Sequence, residues 1–299
     1  MHPLFPGFEE LLEAMRETAS YGGGNILVRG VIRPGGNAGN TARVLAALGR
    51  RVVLGLVGSE QLASIARVMM PGVEVVRLGG WGECFSSIVE VEARERLVNL
   101  MFSDKGCLSA IGRDERIVER LEALIRERGF SAAAAVNIAA WGEPGSLSRL
   151  LNGLEILVLD TSDVRGRDPR RLLEALASYR ASRLTILSMN ENEAAYFSLH
   201  LGAGSPAETV ERLAEFLGYT VCLHTPRFAL CQPGDIRVDN MFYVDNPATS
   251  TGAGDAWNAG LLDALTRGLD LESAVLHAHR VASCYVAKGA PCTRSQLPG

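Results

Sequence analysis

Thr249-Ser250-Thr251-Gly252-Ala253-Gly254-Asp255-Ala256-Trp257-Asn258-Ala259-Gly260 is a tight glycine turn that runs straight into an amphipathic segment. Leu261, Leu262 and Leu265 continue an apolar spacing of three and four, which predicts a helix from about Gly254 to Leu265. A glycine loop entering a helix leaves backbone N–H groups unpaired and aimed at one point, at the positive end of the helix dipole. That geometry suits a phosphate or a developing anion. Asp255, in the first helical turn, stands where a carboxylate can take a proton from a hydroxyl. The amides of Gly252, Ala253 and Gly254 would meanwhile hold the transferred group. Taken alone, G-x-G-D reads more often as a turn followed by a dipole-matched acid.

Two other phosphate motifs are excluded. A dinucleotide fingerprint needs glycine where Trp257 stands, and a P-loop needs Gly-Lys-Ser/Thr, whereas the only lysines, Lys105 and Lys288, follow Asp104 and Ala287. A net charge of −4 argues against nucleic acid as the main partner. No apolar run is long enough for a membrane span, and Met1-His2-Pro3-Leu4-Phe5-Pro6 lacks a secretory pattern, so a cytoplasmic protein is expected. Cys84, Cys107, Cys222, Cys231, Cys284 and Cys292 never form C-x-x-C and read as reduced cytosolic residues, neither a disulfide frame nor a zinc site. His277 and His279, two apart, point in different directions on a helix and make a poor metal pair.

Along the chain, helical and strand patterns alternate. Phe8 to Thr18 is an amphipathic helix, Asn25 to Arg29 a short strand, Asn37 to Leu48 a helix and Arg51 to Val57 a buried strand. Helices near 60–68, 114–127, 146–152, 168–178, 191–199 and 206–217 then interleave with strands near 73–78, 131–137, 154–159, 184–187 and 219–223. This predicts a single α/β domain over 1–299: a mostly parallel sheet covered by helices on both faces. Cys84 to Val91 and Leu97 to Phe102 break the alternation as a hairpin turning at Glu92–Arg96. It reads equally as a flap, at about 83–105, or as an antiparallel edge of the main sheet. Phe85, Val89 and Val91 are expected on one face and Val98, Leu100 and Phe102 on another. A further β segment spans about Arg227 to Tyr243.

G-G-N-A-G-N-T-A at 35–42, N-E-N-E at 190–193 and T-G-A-G-D-A at 251–256 occur in that order. Together they resemble the ribokinase (PfkB) family of carbohydrate kinases, over about Gly23 to Ala290. The resemblance implies a three-layer α/β/α fold with a small β lid, and an ATP-dependent kinase of a small sugar, sugar acid or nucleoside that uses Mg²⁺. The competing reading is a protein of the same fold that binds nucleotide or sugar with little turnover.

By that resemblance Asp255 would be the catalytic base and Gly252, Ala253 and Gly254 the anion hole. Gly35, Gly36, Asn37, Asn40 and Asn137 would bind substrate. Asn190, Thr225, His279 and the turn glycines would meet the nucleotide, and Glu193 would hold Mg²⁺ through water. Asp104, Trp141, Asp160, Asp163, His224 and Ser283 are weaker candidates, each balanced by a cap or core role. The hairpin matches the family's lid, which often mediates a homodimer. Two departures stand out. Thr249 occupies the place of an acid that commonly helps hold a monovalent cation, putting potassium use in doubt. The family's first strand, ending in a sugar-binding Asp, has no counterpart before the Phe8 helix. Either the natural start lies upstream of Met1 or another segment fills that slot, Asn25 to Val28 being nearest.

Overall fold

The structure, a computed structural model, describes residues 7–26, 32, 34–93 and 96–299, with the side chains of 90–99 outside that description. Its elements run α1 (Phe8–Ser20), α2 (Asn37–Ala47), β1 (Val52–Val57), α3 (Glu60–Met69), β2 (Val73–Gly79), β3 (Ser86–Ala93) and β4 (Arg96–Ser103). Then come α4 (Glu115–Arg128), β5 (Ala132–Ala135), α5 (Ser148–Leu151), β6 (Ile156–Asp160), α6 (Pro169–Ala177), β7 (Leu184–Met189) and α7 (Glu191–Leu201). The chain closes with α8 (Pro206–Leu217), β8 (Thr220–His224), β9 (Phe228–Gln232), β10 (Ile236–Asp239), α9 (Ala253–Thr266) and α10 (Leu271–Lys288). Helix starts are fixed locally. Ser59, Asp114, Asp168, Ser205 and Asp270 each accept a bond from a first-turn N–H of the helix that follows.

A six-stranded sheet in the order β10-β9-β8-β7-β6-β5 forms the middle layer. β5 to β8 are parallel, while β9 and β10 return antiparallel. Alternation along β6 makes the layers: Leu157 and Leu159 face a core with Leu172, Leu176, Phe197 and Leu213. Ile156 and Val158 face the opposite core, with Val44, Leu48, Trp257, Leu261 and Val281. The result is the expected α/β/α sandwich, with α2, α9 and α10 together on one side. α9 and α10 pack closely at Gly260, where an added Cβ would lie 2.9 Å from the Ala278 Cα and the Val281 Cβ.

Three expectations need correcting or completing. First, β1 and β2 pair with each other as a separate two-stranded parallel sheet, and β3 and β4 as a third sheet, so the hairpin is not an edge of the main one. Its register sets Val89 opposite Leu100 and Ser87 opposite Phe102. Directly paired residues share a face, so Val89, Leu100 and Phe102 lie on one side and not on two. Ile88 and Met101, paired on the other side, are exposed.

Second, all six cysteines are paired, as Cys84–Cys107, Cys222–Cys231 and Cys284–Cys292, with Cα separations of 6.0, 4.2 and 6.3 Å. The reason is topological. Antiparallel pairing puts Cys222 opposite Cys231, and Cys84 and Cys107 flank the two ends of the hairpin. Spacing in sequence carries none of this, and the pairing removes the ground on which a reducing compartment was read. Third, Asn25 and Ile26 carry no regular structure, and the rest of the strand expected at Asn25–Arg29 lies outside the described residues. No helix among the described residues is long and apolar enough to cross a membrane.

Candidate active site

The parallel strands β5 to β8 run in one direction, so the residues just past their ends gather at one edge of the sheet. Asn137 follows β5, Asp160 ends β6, Asn190 follows β7, and His224 and Thr225 close β8. The N-termini of α2 and α9 come to the same place. α9 is capped by Gly252, whose φ of 84° is left-handed and favours glycine. A Cβ there would also collide, at 2.8 Å from the Tyr285 Oη and 3.1 Å from the Asn40 Nδ2. The turn is held by the Ala253 N–H, which donates to the Ser250 carbonyl at 3.3 Å, and by the Thr251 N–H, which donates to the Thr249 hydroxyl at 3.2 Å. The N–H groups of Gly254 and Asp255 belong to the first turn and have no carbonyl within the helix to meet.

Asp255 is buried and receives a 2.8 Å bond from the Asn40 Nδ2, across 215 residues of sequence. The neighbouring Thr41 hydroxyl reaches the Asp255 carbonyl at 3.4 Å, so two adjacent α2 residues clasp α9. Burial and the charge of Asp160 push the Asp255 carboxyl up to about 8, against the Asn40 bond, which lowers it. Asp160, also buried, is pushed up to about 6, mainly by burial, while bonds from Asn258 (2.7 Å) and the Ser162 N–H (2.8 Å) pull the other way. Burial, with Asp160, Asp163 and Asp255 nearby, holds the Glu193 carboxyl well above the usual range. The oxygens of Thr161, Ser188 and Asn258 (Oδ1) are buried beside this group without a hydrogen-bond partner.

The N-x-x-E pair forms a capping box. Asn190 Oδ1 accepts from the N–H groups of Asn192 and Glu193 at 2.9 and 3.1 Å, and the Asn190 N–H donates to the Glu193 Oε2 at 2.9 Å. The box fixes a buried carboxylate at the acidic edge. No group of three or more His, Cys, Asp or Glu among the described residues is placed to hold a metal ion directly. The surplus of hard oxygen donors nonetheless suits Mg²⁺ held through water and phosphate.

Elsewhere the candidates separate. Asn137 is buried with a left-handed φ of 58°, while Gly35 and Gly36 are exposed ahead of α2 and Asn37 opens it half-buried. Trp141 packs in the core. Asp104 accepts from the Gly106 N–H, and Asp163 from the Arg165 N–H and guanidinium, a local turn role for each. The Thr225 hydroxyl organises the β8–β9 turn by accepting from Arg227 and Phe228 N–H groups. His224 stacks on Trp257 at 4.7 Å and lies beside Gly254; burial, then His279, pushes it down to about 3. Burial likewise pushes His279 down to about 4, and both its Nε2 and the Trp257 Nε1 are buried without a partner. Ser283, one turn on, accepts from Asn240. The signal missed in sequence was Trp257: its polar tip is left without a partner beside two candidate histidines.

A family model described as prokaryotic ketohexokinase matches residues 4–298. The chain belongs to the prokaryotic ketohexokinase family. It is thus of the ribokinase (PfkB) type, as its ordered motifs implied. Comparison with curated proteins by sequence finds no match. Among solved structures, the ketohexokinase-family chain is similar to a ribokinase from Thermotoga maritima, with 17% identity over 93% of this chain and 89% of that one and a TM-score of 0.66. It is similar to an adenosine kinase from Sinorhizobium meliloti (21% identity, 93% and 84% covered, TM-score 0.65). A fructokinase with bound ATP from Xylella fastidiosa also matches (14% identity, 88% of each chain, TM-score 0.56). At these identities the likeness establishes the fold.

Proposed function

We propose that this family member is an ATP-dependent kinase that transfers the γ-phosphoryl group to a hydroxyl of a small sugar, sugar acid or nucleoside. The observation that carries the reading is the pairing at one point of Asp255, in the first turn of α9, with Asn40, from the helix that opens the other glycine motif. Asp255 takes the proton of the attacking hydroxyl, and the first-turn amides of α9 hold the transferred group. Asn37 and Asn137 offer amides that can both donate to and accept from substrate hydroxyls, and Asn40, its Nδ2 given to Asp255, keeps Oδ1 to accept from one. Trp257, His279 and Ser283 face the nucleotide. Mg²⁺, carried with the nucleotide and reached by Glu193 through water, would offset phosphate charge in this acidic pocket. The hairpin β3–β4 closes over the acceptor, and its exposed Ile88 and Met101 suit a second copy of the chain, a contact that light scattering would detect as a dimer.

The test is ADP formation from ATP and Mg²⁺ across ketohexoses, aldoses, sugar acids and nucleosides, with ketohexoses first because of the family. Acceptor-dependent ADP with one class preferred supports the reading. Tight nucleotide or sugar binding by calorimetry with no acceptor-dependent ADP would replace it with the binding-protein reading. Thr249, standing in place of an acid beside the glycine turn, favours that second reading.

A further inference from the structure

Asn40 was read as a ligand for the acceptor, yet its side-chain amide is committed elsewhere. Nδ2 donates to the Asp255 Oδ2 at 2.8 Å, with both residues more than nine-tenths buried. The helix that carries it is anchored on both sides of this bond. The Asn40 N–H donates to the Gly36 carbonyl at 2.9 Å, and Thr41 reaches the Asp255 backbone. The amide also lies 3.1 Å from where a Gly252 Cβ would be, so the bare Cα of the turn makes its place. We propose that Asn40 is a positioning residue for the Asp255 carboxylate, aiming it and holding it ready to accept a proton, so that α2 acts on the base and does not only line the acceptor site.

The surroundings explain why such a donor is needed. From the end of β6, Asp160 presents a like charge, and Glu193 on α7 is a third acid that feels Asp255. His224, beside Gly254 from β8, is kept neutral by burial. Tyr285 of α10 approaches Gly252 with its hydroxyl. Against burial and Asp160, the Asn40 bond acts toward the ionised carboxylate. A hydrogen bond to the charged form does so directly. With Nδ2 engaged, the Asn40 Oδ1 remains to accept from an incoming hydroxyl, which would place that hydroxyl next to the base.

The inference rests on the kinase reading for its kinetic test, so a second measurement stands apart from turnover. In Asn40→Ala, kcat at neutral pH should fall at least tenfold, beyond the rise in acceptor KM that losing the Oδ1 contact brings. The acid limb of the pH–rate profile should move up by about one to two pH units, the value of one hydrogen bond to a charged group. A variant with raised KM and an unmoved limb would make Asn40 a substrate ligand only and overturn the assignment. Asn40→Asp, nearly isosteric, should displace the limb further because it sets a like charge against the base.

If wild-type protein turns over no acceptor, the kinase reading fails but the Asn40 assignment is still tested. Carboxyl ¹³C NMR, with the Asp255 signal identified by its loss in Asp255→Asn, should show Asp255 titrating at higher pH in Asn40→Ala than in wild type. Equal titration in folded proteins would sink it. Should Asn40→Ala not fold, the same two readings on Asn40→Asp decide.

Discussion

Two buried acids sit on α9, Asp255 in its first turn and Asp263 near its end, and they are held in opposite ways. A helix dipole favours an acid at the N-terminus and disfavours one at the C-terminus. The observed order is the reverse. Burial and Asp160 push Asp255 up to about 8. Burial also acts upward on Asp263, but bonds from His277 and Arg50 and the charges of Arg50 and Arg294 outweigh it and leave that carboxyl below its usual range. Specific partners therefore decide over the dipole. Asp263 ties Arg50, at the end of the α2 loop, and Arg294, in the C-terminal segment, to α9, with Oδ1 distances of 2.5 and 2.7 Å. It is a paired charge used for architecture. Asp255 faces other acids and takes its bond from the neutral Asn40 amide, an arrangement that suits a proton or a cation-bearing ligand still to arrive.

The largest effect should come from removing the uncompensated acid. In Asp255→Asn, phosphoryl transfer should fall roughly a hundredfold to ten-thousandfold, the range for loss of a general base. Steady-state kinetics checks it, and a variant keeping more than about a third of wild-type turnover would remove Asp255 from that role. Stability should move the other way. A carboxyl whose folded pKa is raised favours the folded state only while protonated. Its contribution is present below the usual value of 3.8 and is lost as pH rises through about 8. Denaturation at pH 8 should therefore find Asp255→Asn more stable than wild type, with the difference vanishing near pH 4.

Second in size is the paired acid. Asp263→Asn should destabilise the fold by about 3 kcal/mol, because it takes the charge from a buried carboxylate that bonds both Arg50 and Arg294, whose guanidinium groups stay partly exposed. Turnover per folded molecule should stay at the wild-type level. The pH dependence has the opposite sign to that of Asp255. A lowered carboxyl stabilises above 3.8, and that stability is lost as pH falls below it. Urea denaturation between pH 3 and 7 reads this; a loss of turnover with unchanged stability would break the contrast between the two ends of α9.

This contrast also marks where sequence reading stops. The elements were legible because burial leaves period-two and period-3.6 patterns: α9, expected from about Gly254 to Leu265, runs Ala253–Thr266. The glycine turn with Asp255 was legible as local chemistry, whereas the Asn190–Glu193 pair was read for nucleotide and metal, and its capping box emerged only in the structure, although all its atoms lie within four residues. The Asn40–Asp255 bond joins residues 215 apart, and the Arg50–Asp263 bond residues 213 apart. No local pattern encodes either. The disulfides failed for the same reason, and the split of β1–β2 from the main sheet depends on pairing that hydrophobic alternation does not specify.

The smallest predicted effect sharpens the comparison from within the Asp263 cluster. His277, on α10, meets the Asp263 Oδ2 at 3.1 Å and is nearly buried, whereas the two arginine bonds fall on Oδ1. Removing the imidazole in His277→Ala leaves Oδ2 with Arg267, now 4.0 Å away on a partly exposed side chain that has room to approach. The cost should accordingly be that of one net hydrogen bond, about 0.5–1.5 kcal/mol, and not the larger penalty of a stranded buried group. His277→Gln, which can present a donor, should lose less, and neither variant should alter turnover per folded molecule. Urea denaturation of the two variants beside Asp263→Asn measures the ranking. If His277→Ala cost as much as Asp263→Asn, the carboxylate would depend on α10 and not on the arginines. The joint between α9 and the ends of the chain would then rest on the His277 bond, and the two acids of α9 would differ far less than their partners imply.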